Sequence, residues 1–151
     1  MIDHEHNVRL YGISSRGFEL AERYHDGAAL DHLPDSLQHA LGEVAREREN
    51  LMEHFRETVL QEGGLPKAGN PEREWLETLV DRWYKSLAGA ESVVHRLLTA
   101  DAEWLHEIDA VEAANDWPEP LKQDLAALGA HARQCRQRLL QLVPGAAPEE
   151  R

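Results

Sequence analysis

Apolar residues recur at helical spacing through four long stretches of this chain. Side chains three and four positions apart share one face of a helix, so each stretch predicts an amphipathic helix. The four stretches cover about residues 4–24, 35–62, 91–114 and 121–142. The alternation of apolar and polar residues that is typical of strands does not occur in the sequence. The pattern therefore predicts an all-α protein.

A helical wheel assigns an apolar stripe to each predicted helix. The stripe of the first helix is predicted to contain Leu10, Ser14, Gly17, Phe18 and Ala21. The stripe of the second contains Leu37, Leu41, Val44, Leu51, Phe55 and Val59. The stripe of the third contains Val93, Leu97, Trp104, Ile108 and Val111. We expect these faces to meet in one core.

The predicted helix boundaries depend on glycine, proline and capping residues. Asp26-Gly27 is predicted to stop the first helix, and Asp35 with Gln38 has the spacing of a capping box at the start of the second. Asn70-Pro71 predicts the start of a shorter helix that continues to about Leu87. On this short helix Trp75, Leu79 and Trp83 share one apolar face.

The order of these elements predicts a ferritin-like four-helix bundle. Short loops join the first two helices and the last two, which predicts two antiparallel hairpins. The longer connection between the hairpins carries the short extra helix. Hairpin, long crossover and hairpin is the ferritin-like connectivity among four-helix bundles. We expect a single domain over residues 1–145 and a disordered tail over residues 146–151.

Two charged residues interrupt the apolar stripes. Arg48 lies in the centre of the second stripe, and Asp101 lies inside the third. Charged side chains are rarely buried without a partner, and an unpaired charge in a core costs several kcal/mol, about 3–5. We therefore predict that Arg48 and Asp101 face each other inside the bundle.

Composition limits the partners and the compartment. The chain carries 28 acidic and 16 basic residues, a net charge of −12, which argues against nucleic acid and anionic membrane surfaces as partners. Cys135 is the single cysteine, so no disulfide forms within the chain. Its place on the stripe of the fourth helix predicts a buried, unreactive thiol. With no apolar run long enough to cross a bilayer, these features predict a cytoplasmic protein.

A ferritin-like bundle raises the question of a metal centre. Di-iron bundles use two Glu-x-x-His pairs that project inward, but this chain has one such pair, Glu103 and His106, on the polar side of its helix. We therefore predict that no di-iron centre forms and that no cofactor is needed. A degenerate iron or manganese site is the alternative. It would draw on Glu47, Asp101, His54 and His131, with His25 as a further candidate.

Several short motifs, taken in order, resemble those of a bacterial family of ferritin-like proteins of unknown function. They are Arg16-Gly17-Phe18, Glu47-Arg48, Gly63-Gly64, Trp83 and Ala100-Asp101. The resemblance implies a ferritin-like bundle without an assigned reaction, loosely associated with bacterial stress. It also implies a polar core made of Glu47, Arg48 and Asp101. The chain departs from the family pattern at Asp101, where a glutamate is usual, and at Ser15, where a carboxylate is frequent.

Three functional hypotheses follow from the sequence. The first is a non-catalytic, stress-associated bundle that forms a homo-oligomer or binds another protein. The second is a metal-binding oxidoreductase or iron-handling protein with a degenerate carboxylate and histidine site. The third is a small-ligand bundle with a core pocket lined by Phe18 and Trp104. The first is preferred because no catalytic or metal motif is complete.

Overall fold

The computed structural model describes residues 2–64 and 89–147, which form four α-helices packed together. They are α1 (His4–Ala28), α2 (Asp35–Gln61), α3 (Ala90–Ala114) and α4 (Glu119–Leu142). Within these ranges the structure contains no strand, so the all-helical prediction is confirmed there. None of the helices in this part of the chain is long and apolar enough to cross a membrane. The short helix predicted to start at Pro71 lies outside the described residues.

The core consists of two hydrophobic clusters, one toward each end of the bundle. One cluster joins Tyr24 and Leu30 with Leu41, Val93 and Leu139. The other joins the opposite ends of the same helices, and its members include Leu10, Val59, Ile108 and Leu121. It follows that α1 runs antiparallel to α2 and α3 runs antiparallel to α4, while α2 and α3 are parallel. The last residue of α2 and the first residue of α3 therefore lie at opposite ends of the bundle.

The buried face of α1 differs from the predicted stripe. The structure buries Leu10, Ile13, Gly17, Leu20 and Tyr24, and it leaves Ser14 and Phe18 only partly buried. The prediction placed the stripe too close to Ser14 and Phe18. Leu10, Gly17 and Ala21 of the predicted stripe are buried as expected, whereas Ile13, Leu20 and Tyr24 were not placed on it. The corrected face brings a phenol, that of Tyr24, into the core.

Helix α1 ends at Ala28, one residue beyond the stop that the sequence predicts at Asp26-Gly27. Gly27 is buried against the second helix. A Cβ atom at this position would lie 3.3 Å from Cδ1 of Leu41, closer than most carbon contacts. The glycine therefore serves the close approach of α1 and α2.

Two predictions at element ends were wrong. Gln38 does not form a capping box with Asp35, because its side-chain amide donates to the carbonyl oxygen of Leu30 at 2.6 Å. This bond holds the loop between α1 and α2. Ala146, placed in the disordered tail by the sequence, is fully buried in a 3-10 turn over Pro144–Ala146. Its small apolar side chain packs onto the core next to Val143.

Candidate functional site: a buried polar cluster

Arg48 and Asp101 form a bidentate ion pair in the middle of the bundle. The guanidinium donates from Nη1 to Oδ1 of Asp101 at 3.0 Å and from Nη2 to Oδ2 at 2.9 Å. Arg48 is fully buried, and Asp101 is 3% exposed. This is the pair that the two interrupted stripes predict. The fork geometry allows two parallel charge-assisted bonds, the strongest arrangement for such a pair.

Helix α1 completes the pair through Tyr24. Its hydroxyl donates to Oδ2 of Asp101 at 2.7 Å. Burial, followed by the negative charge of Asp101, raises the pKa of Tyr24 well above its ordinary value, so the phenol keeps its proton. Burial lowers the pKa of Arg48, but the charge and the hydrogen bonds of Asp101 outweigh it and raise the pKa overall. Both donors are therefore fully protonated at any physiological pH.

Trp104 covers the face of the guanidinium. The Arg48 carbon Cζ lies 4.6 Å from the centre of the Trp104 ring and 5.5 Å from that of Tyr24, which are cation–π distances. The indole N–H of Trp104 donates to the carbonyl oxygen of Ile13 at 3.1 Å. Two aromatic rings thus contact the charge, and the indole hydrogen bond links α3 to α1.

His131 joins α4 to the cluster. The Nε–H group of Arg48 donates to Nδ1 of His131 at 2.9 Å. Because Nδ1 accepts this bond it carries no proton, so the proton of the neutral ring is on Nε2. Nε2 lies 3.0 Å from Oε1 of Glu47 and donates to it. Arg48 therefore fixes both the tautomer and the orientation of the imidazole.

Glu47 connects the cluster to solvent. Its side chain is 41% exposed, against 7% for His131. Arg138 also donates to it, from Nη1 to the two carboxylate oxygens at 3.2 and 3.4 Å. Partial burial raises the pKa of Glu47, but the hydrogen bonds from His131 and Arg138 outweigh it and lower the pKa overall. Helices α2 and α4 are thus linked around the imidazole by Arg48, Glu47 and Arg138.

Cys135 lies beside the imidazole and is buried. Its Sγ atom is 3.5 Å from Nε2 of His131 and 3.9 Å from Nη2 of Arg48. Burial raises the pKa of this thiol to about 11 despite the positive charge of Arg48. The thiol is therefore protonated at neutral pH and shielded from reagents, as its position on the stripe predicts.

We expect Cys135 not to react with a water-soluble disulfide reagent in the native protein. The thiolate is the reactive form, and both its low abundance and its burial suppress the reaction. Labelling should occur only as the bundle opens, so its rate should rise with urea in parallel with unfolding. The rate is followed by absorbance of the released thiol. Rapid labelling without denaturant, close to that of a free thiol, would show that the fourth helix is not packed as described.

The four residues considered as metal ligands do not form one group. Within residues 2–64 and 89–147, no three His, Cys, Asp or Glu side chains are arranged to hold a metal ion. His54 is 70% exposed at its side chain and contacts Oδ1 of Asp124 at 3.2 Å. Both oxygens of Asp101 accept from Arg48, and Glu47 accepts from His131 and Arg138.

The tautomer of His131 is a chemical reason against metal binding in this arrangement. An imidazole binds a metal through an unprotonated nitrogen. Nδ1 is occupied by the Arg48 donor, and Nε2 carries the proton that Glu47 accepts. The fixed positive charge of Arg48 would also repel a cation. Glu103 and His106, the single Glu-x-x-His pair, are both exposed, which confirms their predicted place on the polar side of the third helix.

Sequence reasoning missed part of this cluster. Tyr24 was not identified, although its spacing from Leu10, Ile13 and Leu20 is that of a buried face. His131 was considered as a metal ligand and not as the acceptor for Arg48. Arg138 was not considered. It lies seven residues after His131, two helical turns along α4, and that spacing places both side chains beside Glu47.

The cluster predicts a dependence of stability on pH. Burial, followed by the charge of Arg48, lowers the pKa of His131. Its ordinary value is about 6.5. A group whose folded pKa is lowered contributes stability above its unfolded pKa, and this stability is lost as pH falls through the folded value. We therefore expect the free energy of unfolding to fall below about pH 6.5, by at most about 1.4 kcal/mol per pH unit.

Urea unfolding between about pH 7.5 and pH 5.5 tests this expectation, since carboxylates titrate lower, near pH 4. His131→Asn keeps an acceptor for Arg48 and removes the titration, so the dependence should flatten. The matched control is His54→Asn, in which an exposed histidine of α2 that contacts Asp124 of α4 is replaced, and His131→Asn should lower the slope more than this control does. An equal slope in wild type and His131→Asn would mean that another group titrates.

Comparisons with known proteins give no relative for this bundle. No protein-family model, curated protein or solved structure matches the chain.

Proposed function

We propose that this protein is a non-catalytic helical bundle that acts through its surface, as a homo-oligomer or by binding another protein. The observation that carries the proposal is the closed state of the polar cluster. Arg48, Asp101 and Tyr24 together present almost no surface to solvent. Their charges and hydroxyl are satisfied by one another, so the cluster has a structural role.

A catalytic group must reach its substrate within hydrogen-bond distance or through one water. The ionisable groups at the centre of the cluster, Arg48 and Asp101, are 0% and 3% exposed. Glu47 is the exposed member, and it is held by two cationic or hydrogen-bonding partners on α4. The arrangement supports a role in fixing the register and pairing of four helices, which buried polar residues perform in some helical assemblies.

The ferritin-like connectivity is part of this proposal. The second and third helices are parallel, and Gly64 and Gly89 are the described residues that flank the connection between them. A connecting segment that joins opposite ends of the bundle is the long crossover of the ferritin-like plan. The short motifs that resemble the bacterial family, among them Glu47-Arg48 and Ala100-Asp101, support the same connectivity and a stress-associated role.

The partner surface is proposed from the sequence of the connection. Trp75, Leu79 and Trp83 have the spacing of one helical face, and large apolar anchors of this kind are enriched at interfaces. These residues lie outside the described part of the chain. Such a face fits an apolar groove, either on a second copy of the chain or on another protein.

The experiment is elemental analysis together with light scattering on one sample of untagged protein purified without chelator. A defined oligomer, or a monomer that retains a protein partner, with less than stoichiometric metal is the expected result. Stoichiometric iron or manganese would overturn the proposal in favour of a metalloprotein, and peroxide or oxygen turnover would then be the next assay. A metal-free monomer that retains no partner would also contradict it.

A further inference from the structure

An open groove runs between α1 and α3, at the end of the bundle where α1 begins. Its volume is about 390 Å³, and the buried side chains of Ile13 and Val111 form part of its lining. Val8 also lines it and is 41% exposed, so it is one of three large apolar residues exposed in the described part of the chain. The groove therefore presents apolar surface that the four helices do not cover.

Gly12 lies in the α1 wall of the groove, in the interior of the helix. A Cβ atom added there would meet no atom of the described bundle within 4 Å, whereas one at Gly17 or Gly27 would press against Met52 or Leu41. Glycine is among the least favourable residues for a helix interior. Packing within the described bundle does not require Gly12, and its missing side chain leaves room for the close approach of another molecule.

Two opposite charges line the groove, Arg9 on α1 and Glu107 on α3, and both are exposed. Within residues 2–64 and 89–147, neither side chain has an ion pair or a hydrogen bond. The hydrogen bond from Trp104 to Ile13 sets the relative height of these antiparallel helices. Arg9 is four residues and Glu107 three residues from that bond, toward the same end of the bundle. The two charges therefore lie at nearly the same height, on opposite walls.

A second copy of the chain fits these features. With a net charge of −12, two copies repel each other in general, but the lining of this groove carries one arginine and one glutamate and is locally neutral. A two-fold axis over the groove and parallel to the helices would place α1 of each copy on α3 of the other, at the same height. Arg9 would then meet Glu107 of the second copy, and symmetry makes this pair occur twice.

We propose that this groove is the contact between two copies of the chain in a two-fold dimer. Val8 of each copy packs into the groove of the other, and Gly12 and Ala110 let the helices approach closely. The two Arg9–Glu107 pairs fix the register of the contact. The inference rests on the surface role proposed above and identifies its homo-oligomeric form. The contact lies on α1 and α3 and does not include the connection between α2 and α3.

The first test reverses the charges in the full chain and measures association by sedimentation over a range of protein concentrations. Arg9→Glu and Glu107→Arg each place like charges opposite each other twice, so each should raise the dissociation constant of the dimer at least about tenfold. The variant with both changes restores opposite charges and should return to within about threefold of wild type. The matched control is Arg56→Glu, an exposed arginine of α2, which changes the net charge equally and should keep the wild-type constant.

The second test uses Gly12. Gly12→Leu fills the groove and should abolish association, and the protein should still fold because the space above Gly12 is open. Gly12→Ala should raise the urea midpoint of the dilute, monomeric protein while it weakens association. The matched control is Gly42→Ala on α2, whose Cβ would make an ordinary contact of 3.7 Å with Ala28. It should raise the urea midpoint and leave association unchanged.

Three results would overturn the dimer contact. They are a monomer at every concentration, a dissociation constant that is the same in wild type, Arg9→Glu and Gly12→Leu, and a combined variant that does not recover association. A monomer that retains another protein, or a dimer that these substitutions do not affect, would leave the proposed surface function standing. Stoichiometric metal in a dimer that responds as expected would overturn the surface function and leave the contact standing, so the two failures are distinguishable.

Discussion

Replacing Asp101 with alanine should destabilise the protein by about 3–5 kcal/mol, because it leaves a buried guanidinium without its counter-charge. Arg48 is fully buried and cannot lose its proton, so no titration relieves the penalty. The Tyr24 hydroxyl would lose its acceptor as well. Domains of this size have about 5–15 kcal/mol of stability in total. The variant should therefore unfold at much lower urea, as measured by circular dichroism.

The matched control is Asp109→Ala on the same helix. Asp109 is half exposed and has only a long contact to Arg133. Its removal should change the free energy of unfolding by no more than about 0.5 kcal/mol. If the two substitutions have similar effects, the buried ion pair is not a main source of stability.

Removing both charges should cost less than removing one. Arg48→Met with Asp101→Leu, made in a Tyr24→Phe background so that no phenol is left unpaired, replaces the pair by apolar groups of similar volume. Such replacements are frequently neutral or stabilising. Nδ1 of His131 loses its donor in this variant, which adds a cost of about 1–3 kcal/mol shared with Arg48→Met alone. A double-mutant cycle gives the coupling energy between the two residues. If the pair also fixes helix register, the double variant should remain helical but show poorly dispersed amide resonances.

The second large effect is expected at Trp104. The side chain is fully buried, its indole N–H is bonded to Ile13, and its ring covers Arg48. Trp104→Ala would leave a large cavity and remove one aromatic wall from the guanidinium. Substitutions of this kind cost about 3–5 kcal/mol. The free energy of unfolding in urea is again the measurement.

Trp104→Phe separates the effect of the aromatic ring from the effect of the indole hydrogen bond. It keeps an aromatic face over Arg48 but lacks the N–H donor, so it should cost less than Trp104→Ala, about 1–3 kcal/mol for the lost indole hydrogen bond and the smaller ring. A loss of less than about 1 kcal/mol in the free energy of unfolding for Trp104→Ala would mean that neighbouring side chains move in and fill the cavity. It would also mean that the cation–π contact contributes little.

Helical periodicity was sufficient to predict the fold class because each helix buries a regular stripe. Arg48 and Asp101 were informative for the same reason, since a charge in an apolar stripe requires a partner. The buried face of the first helix was harder to predict. The predicted stripe contained Ser14 and Phe18 and left out Ile13, Leu20 and Tyr24. The end of α1 near Asp26-Gly27 was predicted to within one residue, but a sequence does not show that α2 packs closely against Gly27.

The rest of the cluster depends on contacts between helices far apart in the chain. His131 meets Arg48 across 83 positions, and Arg138 meets Glu47 across 91. A helical wheel shows on which face of its helix a residue lies. It does not give the relative height of two helices along the axis of the bundle. The roles of His131, as acceptor for Arg48 and donor to Glu47, follow from that height. The sequence therefore suggested His131 as a metal ligand, whereas in the structure both of its ring nitrogens are hydrogen-bonded within the cluster.

The tautomer of His131 reports whether the buried cluster is closed, with each ring nitrogen bonded to a protein partner. Long-range proton–nitrogen NMR of the imidazoles, with His131→Asn to assign the signal, reports which nitrogen carries the proton. We predict a neutral ring at about pH 7.5, above its usual pKa of about 6.5, with the proton on Nε2 and Nδ1 bonded to Arg48. A proton on Nδ1 would leave Nε2 open to a metal, and the cluster would then not be a closed network.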